Sequence, residues 1–344
     1  MCGVRQTEPT SPVRTPDNLP PPPTPEQRAA LQQALLGWFA REGRDLPWRR
    51  TRNPYHILVS EVMLQQTQVD RVIPKYHAFL EAFPTLEALA AAPVADVIRQ
   101  WSGLGYNRRA VNLQRTARAV LAEHGGTFPQ QVEALRKLPG IGPYTAGAVA
   151  CFAFEQDVAF LDTNIRRVVR RVLVGPADAP PATTEHALHT LATGLVPAGE
   201  GWPWNQAIME LGALICTAAA PACWRCPLRD HCRTYATWRT TDEQLFAGWE
   251  SGTPTYPAAQ RSTRRVAERR EAPFIGSNRY YRGRIIEQLR ALPSGAGTTL
   301  LELGPRIKPD FDPPTDLEWL QRLVAGLVRD GLAEQHADAV RLPT

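Results

Sequence analysis

The chain has 344 residues, 43% of them apolar, and a formal net charge of +5. It is long enough to bury a full core and hold two domains, and it reads as neither a fibre nor a disordered polymer. No apolar run approaches the length that spans a bilayer and the first residues lack the apolar centre of a secretory signal, so a cytoplasmic location and no membrane partner are expected.

Residues 1–24, rich in Pro and polar groups, are expected to be a disordered tail. Order begins at Thr24-Pro25-Glu26-Gln27, where a Thr N-cap, a Pro in the first turn and a Gln three residues after the cap predict a helix. Leu31, Leu35, Leu36 and Phe39 then recur at helical spacing. Asn53-Pro54 is a second helix start, with Val59, Val62 and Met63 facing a core. Further helices are expected over 86–101, 108–124, 131–138, 144–154, 164–173, 186–195 and 205–216, so residues 25–233 read as an all-α domain. Residues 234–273 read as a linker with a basic stretch at Arg261, Arg264, Arg265, Arg269 and Arg270. Residues 274–344 read as a small module: a helix near 282–292, a short apolar run at 298–303, a helix near 316–330 and a final strand-like segment, an order that suggests a winged-helix-like fold.

Arginines cluster at Arg108, Arg109, Arg115 and Arg118 and again at Arg166, Arg167, Arg170 and Arg171. Such clusters neutralise phosphates or form solvated helix faces, so charge permits nucleic acid without requiring it. Six cysteines in a reducing compartment are not a disulfide framework. Cys2 lies in the tail, and Cys151 sits in an apolar run as a buried thiol would. Cys216, Cys223, Cys226 and Cys232, separated by six, two and five residues, place four thiolates in one compact loop. Four thiolates suit tetrahedral zinc or a cubane cluster. Zinc ribbons usually bring together two Cys-x-x-Cys pairs, whereas here one pair is flanked by single cysteines. The same loop would hold Arg225, Arg229 and Arg233 against a phosphate backbone.

Leu138-Pro139-Gly140-Ile141-Gly142-Pro143-Tyr144 joins two helices through a turn in which Gly140 and Gly142 allow backbone N–H groups to approach a phosphate. Taken alone it reads equally as an ordinary helical hairpin. Asp162, eighteen residues beyond Tyr144, is placed to cap the helix that follows. Glu61 alone reads as a surface glutamate.

In order along the chain, the hairpin, Asp162 and the cysteine loop resemble the helix-hairpin-helix DNA glycosylase superfamily that includes endonuclease III. The segments LPWR, NPY and SEVMLQQTQV between Leu46 and Val69 resemble MutY-type adenine glycosylases. The resemblance covers residues 29–232 and implies an all-α helix-hairpin-helix glycosylase fold with a [4Fe-4S] cluster on Cys216, Cys223, Cys226 and Cys232. It implies a monomer that acts on double-stranded DNA holding adenine opposite 8-oxoguanine or guanine. Glu61 would protonate adenine at N7 from a raised pKa, and an ionised Asp162 would stabilise an oxocarbenium-like C1′. Arg49 and Tyr144 would position these carboxylates, Asn164 would support Asp162, and Leu64 and Gln66 would wedge into the duplex as the base leaves the stack.

Tyr144 stands where endonuclease III carries a lysine. A phenol cannot form an imine, so the implied enzyme removes a base without cutting the strand. Asp162-Thr163-Asn164 departs from the Asp-Gly-Asn common in MutY, and no Nudix-like Phe-Ser-His loop occurs in residues 274–344. A thymine or uracil mismatch glycosylase of the same fold and a non-enzymatic DNA-binding protein are the alternatives. A pyrimidine has no N7 to protonate, and a mere binder has no use for Glu61 and Asp162 together.

Overall fold

The computed structural model describes residues 21–176, 183–245 and 274–344. Cys2, nearly all of the expected tail and the basic stretch from Arg261 to Arg270 lie outside the described residues. Helices run in the order α1 (Pro25–Glu42), α2 (Pro54–Leu64), α3 (Val69–Ala82), α4 (Leu86–Ala91), α5 (Val94–Gln100), α6 (Arg108–His124), α7 (Val132–Leu135), α8 (Pro143–Phe154), α9 (Thr163–Val169), α10 (Glu185–Thr193), α11 (Gly201–Leu214) and α12 (Arg233–Leu245). After them come α13 (Asn278–Arg290), β1 (Thr298–Thr299), α14 (Leu300–Ile307), α15 (Pro313–Arg329), β2 (Glu334–His336) and β3 (Ala339–Arg341). The chain divides into two compact units. Within the described residues the first holds 21–42, 161–176, 183–196 and 206–245, and the second holds 43–160, 197–205 and 274–344.

Local signals set most helix starts. Thr24 and Gln27 exchange side-chain-to-backbone hydrogen bonds at the head of α1 (3.0 and 3.3 Å), the reciprocal cap its sequence announces. Gly125 closes α6 in the left-handed conformation, with φ +58°, as a helix-terminating glycine does. The single helix expected over 86–101 is instead two, because Pro93 adopts an extended backbone at the head of α5. The break frees carbonyls, and α6 collects them. Buried Gln114 donates to Leu89 O and Ala92 O (3.0 and 2.6 Å), and Arg118 Nε donates to Ala90 O (2.8 Å). After α9 the chain makes a π turn over Arg170–Val174. α12 occupies the stretch where the sequence reading begins its linker.

The C-terminal segment forms α13, β1, α14, α15, β2 and β3, with an antiparallel sheet in the order β1-β3-β2, Val340 pairing with both Thr298 and Gln335. That is the element order of a winged helix. The apolar run at 298–303 proves to be the end of a strand followed by a helix. Thr299 and Glu302 form a capping box that turns the chain from β1 into α14. This module shares a core with α5 and α6. Ala95, Ile98 and Val111 pack with Ile286, Leu289, Leu327 and Leu332, and Ala95 N donates to Pro343 O (2.9 Å).

Candidate active site and cysteine loop

In the second unit, α2 starts at Asn53, whose side chain accepts from Tyr55 N and His56 N, with Pro54 in the first turn. Almost every residue after that is buried. Glu61 is 3% exposed, so the surface reading of this glutamate is wrong for a physical reason: α2 packs against α8 and is apolar nearly all round. Across that packing Tyr144 donates its hydroxyl to Glu61 Oε2 (2.9 Å). Tyr144 is held in turn by an edge-on contact with Phe160, ring centroids 5.4 Å apart, and Phe160 by Phe152. A Cβ on Gly147 would come within 2.7 Å of Phe160, so glycine there lets the aromatic stack approach α8.

The hairpin between α7 and α8 turns at Gly140, with φ +77°, where a Cβ would also strike Asn112 at 2.7 Å. α8 then begins at Gly142 with no side-chain cap and Pro143 in its first turn. Thr116 of α6 donates to Pro139 O (2.6 Å) and fixes the turn. Arg49 lies in a 3-10 turn, Pro47–Arg49, with Nη1 donating to Arg44 O (2.7 Å). Leu64 closes α2, half-buried, and exposed Gln66 follows with φ +55°, a conformation that costs a non-glycine residue about 1–2 kcal/mol.

In the first unit, Asp162 caps α9. Its Oδ1 accepts from Ile165 N (2.6 Å) and its Oδ2 from Asn164 Nδ2 (3.1 Å). Asn164 Oδ1 accepts from Arg167 Nη2 (2.8 Å), and Arg167 also donates to Gly212 O and Cys216 O, both at 2.7 Å. Hydrogen bonds thus run without a gap from the cysteine loop to the Asp162 carboxyl. Burial pushes the Asp162 carboxyl above the usual carboxylate range, opposed by the hydrogen bonds from Ile165 and Asn164 and by the Arg167 charge. Gly212 of α11 lies directly against this chain, since a Cβ there would sit 2.7 Å from Asn164 Cβ.

The cysteine loop follows α11 and folds through 3-10 turns at Cys223–Arg225 and Arg229–His231. Cys216, Cys223, Cys226 and Cys232 are unpaired thiols that line one cavity. Burial and mutual repulsion push Cys223 up to about 11, and burial pushes Cys226 up to about 12. Arg171 ties the loop down, donating to Thr217 O (2.7 Å), Ala218 O (3.0 Å) and Cys216 Sγ (3.5 Å). Among the described residues no three of Cys, His, Asp or Glu are gathered closely enough to hold a metal ion. Cys151 is buried, with Asn205 Nδ2 donating to its sulfur (3.4 Å).

The arginine clusters serve the fold more than the surface. Arg109, Arg118, Arg167 and Arg171 all turn toward backbone carbonyls, and Arg166 pairs with Glu185. The sequence names Arg109 and Arg167 only as members of basic clusters, because no local pattern says which arginine of a run faces inward, and it gives no sign of Gly212.

Residues 59–193 match the model of the HhH-GPD superfamily base excision DNA repair proteins. An adenine DNA glycosylase of Mycolicibacterium smegmatis is 41% identical over 88% of this chain and 92% of its own. One of Homo sapiens is 44% identical over 65% of this chain and 43% of its own. The solved structure of a thermostable thymine-DNA glycosylase, 32% identical, superposes with a TM-score of 0.58 over 62% of this chain and 98% of that one. A trapped endonuclease III–DNA covalent intermediate, 24% identical with a TM-score of 0.53, has the same fold over 63% of this chain. On the identity to the Mycolicibacterium smegmatis enzyme, over most of both chains, the chain belongs to the adenine DNA glycosylase family of the HhH-GPD superfamily.

Proposed function

We propose that this glycosylase hydrolyses the N-glycosidic bond of adenine paired with 8-oxoguanine or guanine in double-stranded DNA, acting as a monomer since one chain carries both carboxylates. The observation that carries the reading is the buried Glu61 carboxyl under the Tyr144 hydroxyl. A buried carboxyl held by a hydroxyl is fixed in position, as a general acid must be. Glu61 delivers a proton to N7 of the extruded adenine, and the C1′–N9 bond breaks with its electron pair leaving on a neutral base. The Asp162 carboxylate, oriented by Ile165 N and Asn164, stabilises the cationic sugar until water adds at C1′ and gives up a proton to the Glu61 carboxylate, which restores the acid. Leu64 and Gln66 enter the duplex in place of the base, while Gly140 and Gly142 let the hairpin backbone meet a phosphate. Arg49 sits in the Pro47–Arg49 turn that precedes α2 and serves the positioning of Glu61. Tyr144 offers no amine, so the strand stays intact.

Four thiols that line one cavity, the soft donor set such a group takes, support a [4Fe-4S] cluster held by Cys216, Cys223, Cys226 and Cys232. When bound, such a cluster supplies a rigid covalent clip for the loop. The catalytic part takes in residues 25–233 and the helix α12 that continues it to Leu245, and the winged-helix-like module takes in residues 274–344. Genomic DNA as substrate makes the cytoplasm its place of work.

The test is single-turnover base release from duplexes holding adenine opposite 8-oxoguanine, adenine opposite guanine, and thymine or uracil opposite guanine, followed by alkali to reveal abasic sites. Release from the two adenine duplexes is expected. Release confined to thymine or uracil would keep the fold and overturn the substrate.

A further inference from the structure

Among the described residues of the second unit four non-glycine residues are left-handed, Glu155 at the end of α8, Ala337 between β2 and β3, and Gln66 and Tyr106 in two loops that share a partner. Gln66, φ +55°, lies in the turn between α2 and α3, and Tyr106, φ +46° and 52% exposed, precedes α6. Strain of this kind persists only where the surroundings over-determine it. One side chain does so for both loops. Arg109, in the first turn of α6, sends Nη1 to the carbonyl oxygens of Val62 (2.7 Å), Met63 (3.1 Å) and Gln65 (2.7 Å). Its Nη2 reaches Leu104 O (3.0 Å) and Gly105 O (3.2 Å), with Thr67 Oγ1 at 3.4 Å. The Val62 and Met63 carbonyls are among the last of α2, which lack partners within the helix and favour a cation. The guanidinium lies 5.4 Å from the Trp101 ring and is desolvated enough to fall to about 10, so it is charged at neutral pH.

We infer that Arg109 is a positioning residue that fixes the α2–α3 turn, and with it Leu64 and Gln66, in the shape that enters the duplex. By reaching the Tyr106 loop as well, it makes both loops meet the DNA as one edge. The inference rests on the proposed reading of the protein as a base-extruding glycosylase. Lysine is no substitute, since an ammonium on a flexible stem lacks the planar fork that meets acceptors from two loops at once.

The experiment compares Arg109→Lys and Arg109→Gln with the parent by fluorescence of 2-aminopurine placed beside the target adenine, by single-turnover release and by thermal midpoint. Extrusion and release are expected to fall about tenfold or more in both variants, with affinity for undamaged duplex within about threefold of the parent. Adding Gln66→Ala to Arg109→Gln should cost little more, because the turn is already misplaced. Arg118→Gln, which loses a bond to Ala90 O far from the turn in sequence, should lower the thermal midpoint without the extrusion defect. Parent-like extrusion in Arg109→Lys, a fully multiplicative Gln66→Ala effect, or the same extrusion loss in Arg118→Gln would each overturn the inference. Extrusion is read without excision. A parent that opens the duplex yet releases no adenine would therefore sink the proposed reaction and leave the role of Arg109 standing.

Discussion

At the residue scale the two carboxylates differ in how they are held, and each difference is measurable. Glu61→Gln keeps the volume of a buried side chain and can still accept the Tyr144 hydroxyl. Its thermal midpoint should stay within about 2 °C of the parent, while base release falls by roughly 10²–10⁴, the usual worth of a general acid. A drop in activity that only tracked a drop in folded fraction would make the carboxyl structural. Asp162 is raised above its ordinary value of 3.8 by burial. A carboxyl raised on folding contributes stability that is complete below its unfolded value and is lost as pH rises through the folded one. Ionised Asp162 therefore costs stability at neutral pH, and Asp162→Asn removes that slope. Thermal midpoints read from about pH 3.8 upward to neutrality should show the variant gaining on the parent as pH rises; parallel curves would mean that Asp162 is not desolvated. The resemblance names Glu61 as the acid and Tyr144 among the residues that position it, whereas the residues read without it give no sign of the burial and the hydrogen bond that hold the pair. They depend on how α8 packs against α2, and neither segment has a one-sided apolar stripe to say so.

At the element scale, the starts of α1, α8 and α9 and both ends of α6 were legible to within a residue or two, whereas the helix expected over 164–173 ends as an α-helix at Val169 and continues as a π turn. The break at Pro93, the helix over Arg233–Leu245 and the strand-to-helix switch at Thr299 were less legible. The first and the last carry local signals, Pro93 and the Thr299–Glu302 capping box, that the sequence reading passes over, while Gln114, remote in sequence, takes up the carbonyls of the break. Gly212 is the sharpest case of a remote constraint. Nothing around it in α11 marks it, yet it faces Asn164 and so sets where the Asp162 cap can lie. Gly212→Ala puts a methyl group into Asn164 and should cost about 1–3 kcal/mol as an overpacking change. It should also slow base release well beyond that loss of folded protein. Gly283→Ala in α13, where a Cβ meets nothing within 4 Å, is the control: it should gain up to about 1 kcal/mol from helix propensity and leave base release unchanged. Equal effects of the two substitutions on base release would break the link from α11 to Asp162.

At the scale of the whole molecule, the question is what residues 274–344 contribute to a glycosylase. A winged helix invites the expectation of DNA binding, but its charges argue otherwise. The module holds nine Lys and Arg against nine Asp and Glu, for no net charge, and on α15 Arg322 pairs with Glu318. What it does present is a docking face. Arg290, its side chain 10% exposed, donates to Ile98 O (3.1 Å) and Asn107 Oδ1 (2.6 Å), and Asp330 takes both Arg282 and Arg108. A chain ending at residue 273 would bare Ala95, Ile98 and Val111, so its thermal midpoint should fall by more than about 5 °C. Arg322→Ala with Arg329→Ala tests the other half of the argument. Each phosphate contact adds about 0.9 to the slope of log affinity against log salt, so a phosphate-binding α15 would lose up to about 1.8 in that slope. An unchanged slope together with a destabilised truncation is the expected pair, and it would make the module a buttress for α5 and α6. A reduced slope would instead give α15 to the DNA backbone and leave Arg290 as the hinge on which a second DNA contact hangs.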